Sequence, residues 1–183
     1  MQIQHHRITG VSHLDSPNFD ERPVPDELTL LVVHCISLPP EQFGGDYIDQ
    51  LFLNRLNPGD HPYFQEIHQL KVSAHVLIRR DGGLVQYVPF DKRAWHAGVS
   101  SFQGRERCND FSIGIELEGS VHQAYTDAQY QQLANLAGIL LATYPTLSAE
   151  RIVGHSDIAP GRKTDPGPSF DWEKFHSLLA QTL

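Results

Sequence analysis

The chain has 183 residues, of which 40% are hydrophobic and 20% are charged, as is ordinary for one globular domain with a buried core. Its net charge of −8 argues against a nucleic-acid-binding protein, which needs a basic surface. No apolar run approaches the length of a membrane span, so we expect neither nucleic acid nor membrane as a partner.

The first 27 residues are polar and rich in proline, and they predict an arm that packs on the surface of a single domain spanning residues 1–183. The opening residues 1–7 contain no apolar segment of the kind that directs secretion. Two cysteines, Cys35 and Cys108, are too few for a disulfide framework. These features predict a cytoplasmic, reduced protein, unless an export signal has been removed.

Residues 28–36 form a nearly continuous apolar run, which is typical of a strand buried on both faces of an α/β sheet. His34 interrupts the run near its end. A lone histidine in a buried strand is more often a hydrogen-bonded core residue than a metal ligand, so this position alone leaves both interpretations open.

The next segment predicts a short helix and a hairpin. Asp46 is suited to cap a helix whose apolar face would contain Ile48, Leu51 and Phe52. Further on, the turn residues 81–83, Asp-Gly-Gly, connect two strand-like runs, 72–80 and 84–88.

Residues 111–118 alternate strictly, as a strand does. Phe111 and the other odd-numbered residues are apolar, whereas the opposite face contains Gly114 and Glu116. A glutamate pair on a solvated face is an equally good interpretation of this pattern. A capping box at residues 126–129 then opens a helix, and a final helix is predicted near residues 171–181.

The loop 154–168 contains two potential metal ligands, His155 and Asp165, together with Lys163. Its glycines and prolines exclude a helix. If residues 163–165 are extended, Lys163 and Asp165 project to the same side, although a surface turn with a solvated salt bridge is the alternative. With His34, the loop offers two nitrogen ligands and one oxygen ligand. This set suits a catalytic zinc ion, but other divalent metals also accept it.

Charge is distributed unevenly along the chain. Residues 71–107 contain seven basic and three acidic side chains, a local net charge of +4. This segment could form an anion-binding wall, or its charges could be scattered and solvated.

Five segments occur in a fixed order: Val33-His34, Ser73-Ala74-His75, Ala94-Trp95-His96-Ala97-Gly98, Ile113-Gly114-Ile115-Glu116, and Gly154-His155-Ser156-Asp157 continuing to Lys163-Thr164-Asp165-Pro166-Gly167. Together they resemble the zinc N-acetylmuramoyl-L-alanine amidases, a group that includes peptidoglycan recognition proteins and phage amidases. The resemblance extends from about Leu28 to Trp172. Within the family it is strongest to the cytoplasmic enzymes that act on 1,6-anhydro-muramyl peptides.

This resemblance implies a single α/β domain with a central mixed β-sheet flanked by helices. It implies that His34, His155 and Asp165 bind Zn²⁺, that Glu116 is the general base, and that Lys163 stabilises the oxyanion. The implied reaction is hydrolysis of the amide between the lactyl group of 1,6-anhydro-N-acetylmuramic acid and L-alanine. That reaction belongs to peptidoglycan recycling and affects β-lactamase induction.

The resemblance also implies substrate contacts for a monomeric enzyme. Arg107 matches a family position that contacts the stem peptide. Lys71 and Cys35 stand where relatives have arginine and asparagine. Lysine keeps the charge of arginine but lacks its bidentate fork, so these two positions leave the affinity open. The aromatic residues predicted to contact the anhydro-muropeptide are Trp95, His96 and His75.

Three alternatives stay open. The chain could be a broader cell-wall amidase, a non-catalytic muropeptide-binding module, or a cysteine hydrolase that uses Cys35. The presence of every ligand together with Glu116 and Lys163 disfavours the binding module. Cys35 is predicted to point to the face opposite His34, and a buried thiol is normally inert, which disfavours the third.

Overall fold

The computed structural model describes residues 1–25 and 27–183. The strands in this part of the chain are β1 Ile3–Gln4, β2 Arg7–Ile8, β3 Ser12–His13, β4 Phe19–Glu21, β5 Leu30–Ile36, β6 Val76–Ile78, β7 Leu84–Gln86, β8 Lys92–Ala94, β9 Ser101–Phe102, β10 Arg105–Glu106, β11 Ser112–Glu118 and β12 Ile152–Gly154. The helices are α1 Tyr47–Phe52, α2 Phe64–Ile67, α3 Asp127–Thr143, α4 His155–Ile158 and α5 Trp172–Ala180, with single 3₁₀ turns at Cys108–Asp110 and Ala149–Arg151.

Six strands form the central sheet, in the order β12-β5-β11-β6-β7-β3. The pairs β12–β5, β5–β11 and β11–β6 are parallel, whereas the pair β6–β7 is antiparallel. The sheet is therefore mixed, and helices pack on it, as the sequence predicted. The apolar run 28–36 contains β5, which lies between β12 and β11 as a strand buried on both faces should.

One face of the sheet is covered by the two longest helices. Ile113, Ile115 and Leu117 of β11 belong to a core that includes the buried residues of α3 and α5. The predicted capping box opens α3: the backbone N–H of Gln129 donates to the Thr126 hydroxyl (3.1 Å), and the backbone N–H of Thr126 donates to the Gln129 side chain (3.1 Å). The predicted terminal helix is α5. The opposite face packs partly against α1.

Several local predictions need correction. The strand predicted over 72–80 is only Val76–Ile78, because Ser73 and His75 donate their backbone N–H groups to two different segments, at Trp95 and Gly114. Asp46 precedes α1 but makes no side-chain cap. Phe111 lies outside β11 and packs with Leu30 and Val32, away from the core formed by the odd-numbered residues of β11.

The N-terminal arm is more deeply integrated than its composition predicts. Strand β3 pairs with β7 at the edge of the central sheet, and β4 pairs with β8. Arg22 is buried, and its guanidinium donates to the carbonyl oxygens of Asn109 (3.1 Å) and Ser112 (2.9 Å). Of the arm predicted over residues 1–27, Asp26 lies outside the described residues.

The basic segment 71–107 does not form a continuous positive wall. Most of its side chains are neutralised by acidic partners on other elements, through the pairs Arg79–Asp49, Lys92–Glu21, Arg93–Asp20 and Arg105–Glu27. Across the described residues, the helices lack the combination of length and apolarity that crossing a membrane requires.

Candidate active site

The site lies at the carboxyl ends of the parallel strands, where ligands bind in open α/β sheets. His34 is near the end of β5 and pairs in register with Glu116 of β11, so both side chains project from the same face. His155 directly follows β12, whose Gly154 is in register with Val33. The parallel register therefore brings these three side chains to one edge of the sheet.

The loop after β12 supplies Asp165. The first residues of this segment form the one-turn helix α4, contrary to the prediction that the segment excludes a helix. The Asp157 carboxylate accepts the backbone N–H of Gly154 (2.7 Å) and stabilises that turn. The backbone N–H of Ser156 donates to the Asp165 carbonyl (3.0 Å), which folds the loop back toward His155.

Three potential ligand atoms converge at this edge. His34 Nδ1 lies 3.0 Å from His155 Nδ1, and Asp165 Oδ2 lies 3.1 Å from each of them. Ligand atoms around a tetrahedral zinc ion are about 3.3 Å apart, given bonds of about 2.0–2.1 Å. The two histidines are buried. The geometry fits a small divalent cation and excludes the alternative of a solvated surface turn.

In both histidines, the hydrogen bond made by Nε2 determines that Nδ1, the atom that faces the other ligands, carries a lone pair and no hydrogen. His155 Nε2 donates to the Ala97 carbonyl (3.0 Å), and His34 Nε2 lies 2.9 Å from His96 Nδ1. Burial lowers the pKa of His34 to about 4, so its ring is neutral. With the outer nitrogens protonated, three acceptors face each other at close range, and a cation between them relieves their repulsion.

Glu116 is the buried carboxylate beside this set. Within the described residues its Oε2 atom has no hydrogen-bond partner, and its side chain lines the cleft. Burial raises the pKa of Glu116 well above its usual range; the charge of Asp165 raises it further, and that of Lys163 lowers it. A buried, unpartnered carboxylate of raised pKa is suited to exchanging a proton.

The cleft has a volume of about 370 Å³. Lys163 and Asp165 both line it, as expected if residues 163–165 are extended and the two side chains project to the same side. Trp95, His96 and Cys35 line it too. Sequence analysis did not identify its apolar wall, because no pattern marks those residues as neighbours; this wall includes Tyr63, Ile67 and Leu70.

Cys35 lines the cleft even though its strand position points away from His34. Burial raises the pKa of its thiol to about 12. A thiolate is therefore strongly disfavoured, which argues against the cysteine hydrolase alternative.

His75 does not contact the cleft, and its predicted role in substrate binding is wrong. The side chain is fully buried. Its Nδ1 accepts the backbone N–H of Gly114 (3.0 Å), and its Nε2 donates to the Lys92 carbonyl (3.0 Å). With both nitrogens engaged and no exposed surface, this ring is structural.

Arg107 and Lys71 lie outside the cleft, and both are exposed. Arg107 lines a neighbouring cavity of about 570 Å³ together with Arg162. Lys71 lies between Leu70 and Val72, which line the cleft. Their predicted contacts with a stem peptide stay predictions.

Comparison with known proteins identifies the family. The family model described as N-acetylmuramoyl-L-alanine amidase matches residues 24–168. The chain belongs to this amidase family. It is 64% identical over 173 residues to the 1,6-anhydro-N-acetylmuramyl-L-alanine amidase AmpD of Salmonella typhimurium (strain SL1344), covering 94% of this chain and 92% of that protein.

Two solved structures support the amidase fold. A crystal structure of a selenomethionine derivative of AmpD superposes with a TM-score of 0.94 at 60% identity, covering 98% of this chain and 99% of the other. The amidase AmiD from E. coli, in complex with anhydro-N-acetylmuramic acid-L-Ala-D-γ-Glu-L-Lys, gives a TM-score of 0.60 at 30% identity, covering 85% and 59%. The chain is thus an N-acetylmuramoyl-L-alanine amidase, and the predicted family and fold are confirmed.

Proposed function

We propose that this amidase hydrolyses the bond between the lactyl group of 1,6-anhydro-N-acetylmuramic acid and L-alanine, with zinc bound by His34, His155 and Asp165. The observation that carries the proposal is the convergence of three ligand atoms within 3.1 Å, beside a buried carboxylate that has no partner among the described residues. The preference for the anhydro sugar is supported by the similarity to AmpD, a 1,6-anhydro-N-acetylmuramyl-L-alanine amidase, at 64% identity.

Glu116 and the metal would divide the activation of water between them. When bound, zinc supplies Lewis acidity that polarises the amide carbonyl and lowers the pKa of water. Glu116 accepts the proton of the attacking water as the new C–O bond forms. It then donates that proton to the nitrogen of L-alanine as the C–N bond breaks. Its raised pKa suits both steps, because the carboxylate takes up a proton readily and still releases it to the amine.

Lys163 acts on the negative charge that develops on the carbonyl oxygen. Its ammonium group is on the wall of the cleft that also contains Asp165. Lys163 is exposed at the edge of the cleft, and a cation placed beside a developing oxyanion interacts more strongly with the transition state than with the neutral amide. Lys163 therefore lowers the barrier more than it strengthens ground-state binding.

The rest of the cleft binds the muropeptide. Trp95 and His96 contact the substrate near the scissile bond. Cys35 presents its thiol beside His34 on the cleft wall. Arg107 and Lys71 attract the carboxylates of the stem peptide from outside the cleft. The amidase works as a monomer in the cytoplasm, where it recycles wall fragments and thereby affects β-lactamase induction.

The test uses protein stripped of metal and reloaded with zinc. Anhydro-muropeptide and the corresponding muramyl peptide with a reducing sugar are offered together, and mass spectrometry follows release of the peptide. We expect zinc-dependent cleavage of the anhydro compound and loss of both zinc and activity in Asp165→Ala. Asp15→Ala removes an exposed carboxylate that pairs with Arg7 and does not line the cleft, and this variant should behave as the unmodified enzyme.

The other outcomes separate the alternatives. Equal cleavage of both compounds would indicate a broader cell-wall amidase. Binding without cleavage would indicate a recognition module and contradict the proposal. Full activity without metal, abolished by a thiol-blocking reagent, would restore the cysteine hydrolase.

A further inference from the structure

His96 occupies a position that the sequence assigned to substrate binding, but its ring faces the protein as well as the cleft. The ring packs directly on Gly114 of β11: a Cβ added there would lie 2.4 Å from His96 Cγ. Glycine at position 114 therefore provides the space in which this ring stands between β11 and His34. The ring is held edge-on to His34, with centroids 5.0 Å apart.

A chain of hydrogen bonds runs from His34 through this ring to the backbone. His34 Nε2 lies 2.9 Å from His96 Nδ1, and His96 Nε2 lies 3.2 Å from the Ser112 hydroxyl. The hydroxyl donates to the carbonyl of Cys108 (2.6 Å). A carbonyl can only accept, so the direction of the whole chain is set at this end.

The direction of these hydrogen bonds determines which ring nitrogens of His96 and His34 carry a hydrogen. Because the Ser112 hydroxyl gives its hydrogen to Cys108, its oxygen accepts from His96 Nε2–H. In a neutral ring the other nitrogen of His96 is then bare and accepts from His34 Nε2–H. In the same way His34, neutral as well, carries no hydrogen on Nδ1, the atom that faces His155 and Asp165.

We propose that His96 and Ser112 are positioning residues, which fix the tautomer and orientation of His34 so that its Nδ1 lone pair is ready for the metal. This inference rests on the proposed zinc ligation by His34. The second histidine needs no such chain, because His155 Nε2 donates directly to the Ala97 carbonyl. The two ligands thus reach the same state by different routes, and only the route to His34 passes through side chains.

The test replaces His96, whose Nδ1 accepts from His34, by side chains of similar volume. His96→Leu removes the acceptor, whereas His96→Asn keeps an oxygen at the position of Nδ1. Ser112→Ala removes only the far end of the chain. His176→Leu makes the same exchange at an exposed position of α5 and serves as the control.

Zinc affinity is measured by competition with a chromophoric chelator. We expect His96→Leu to weaken zinc binding about 10- to 100-fold, the usual effect of losing such an outer partner. His96→Asn should recover most of that loss, and Ser112→Ala should cost several-fold. ¹⁵N NMR of the metal-free protein should find His34 protonated on Nε2 in the unmodified protein and in His96→Asn, but mixed between tautomers in His96→Leu.

Unchanged zinc affinity and an unchanged His34 tautomer in His96→Leu would overturn the inference. If that variant does not fold, equal affinity in Ser112→Ala and the unmodified protein, with the same tautomer, would overturn it instead. The NMR measurement needs neither metal nor substrate. An enzyme that binds zinc but does not cleave would therefore defeat the proposed function and leave this inference standing.

Discussion

The two faces of β11 differ in chemistry although all seven of its residues are buried. The odd-numbered side chains are apolar and pack beneath α3 and α5 in the main hydrophobic core. The even-numbered residues Ser112, Gly114 and Glu116 face the histidines: the first two contact His96, and the third is in register with His34. Burial alone therefore does not distinguish a core from an active site. The difference lies in whether the buried groups find complete partners.

The apolar face supports the polar one energetically. A buried carboxylate without a hydrogen-bond partner destabilises the folded state, and Glu116 has such an oxygen within the described residues. Dense packing of Ile113, Ile115 and Leu117 on the other side of the strand offsets that cost. One face should consequently control catalysis, and the other stability.

The largest effect on catalysis is expected at Glu116. Glu116→Gln should lower kcat about 10³-fold, because the amide cannot accept the proton of water, while zinc content stays full. The free energy of unfolding should not fall, since the exchange removes a buried charge. Steady-state kinetics, metal analysis and urea unfolding test these points, with exposed Glu173→Gln as the control. Near-normal turnover would remove Glu116 from the mechanism.

The neighbouring side chain on the opposite face should show the reverse behaviour. Ile115→Ala should lower the free energy of unfolding by about 3 kcal/mol, because it leaves a cavity in the main core. Zinc affinity and kcat of the folded protein should stay within about twofold. A loss of zinc affinity comparable to that of His96→Leu would show that the two faces are not independent.

Gly114→Ala tests the contact between β11 and His96. The added Cβ would lie 2.4 Å from His96 Cγ, so the ring must move. We expect a loss of about 1–3 kcal/mol in unfolding free energy and about tenfold weaker zinc binding. Gly138→Ala in α3 is the matched control, because its Cβ would lie 2.4 Å from Thr182 Oγ1, far from the site. Equal effects of the two exchanges on zinc affinity would contradict the assignment.

The smallest predicted effect concerns the pH dependence of stability. Burial, together with the charge of Arg22, lowers the pKa of His75 from 6.5 to about 3. Below pH 6.5 the unfolded chain binds a proton at this ring that the native state does not. Stability is therefore complete above pH 6.5 and decreases as the pH falls toward 3.

The change from pH 7.5 to 5.5 should cost about 1.4 kcal/mol through His75. His75→Gln keeps an N–H for the Lys92 carbonyl but cannot titrate, so its unfolding free energy should depend less on pH by that amount. Urea unfolding at both pH values measures the difference. The same pH dependence in both proteins would contradict the prediction.

Much of the fold could be predicted from local pattern. The buried strand β5, the capping box of α3 and the terminal helix α5 follow from periodicity and capping residues, which act over a few positions. The predicted strand boundaries were wrong where distant segments compete for backbone hydrogen bonds, as at residues 72–75. The arm was underestimated for the same reason. Its strand β3 and the buried Arg22 depend on partners about 70–90 residues away in sequence.

The candidate site divides in the same way. The sequence by itself determined the amidase family, because five distinctive local motifs occur in a fixed order, and through that resemblance it predicted the ligand and catalytic residues. Only the tertiary structure decided between His75 and His96, two histidines that both follow strand-like residues. Parallel register and the space over Gly114 leave one ring fully enclosed and turn the other toward His34. Which nitrogen carries a proton then depends on partners as distant as 62 positions along the chain, a range over which no local pattern carries information.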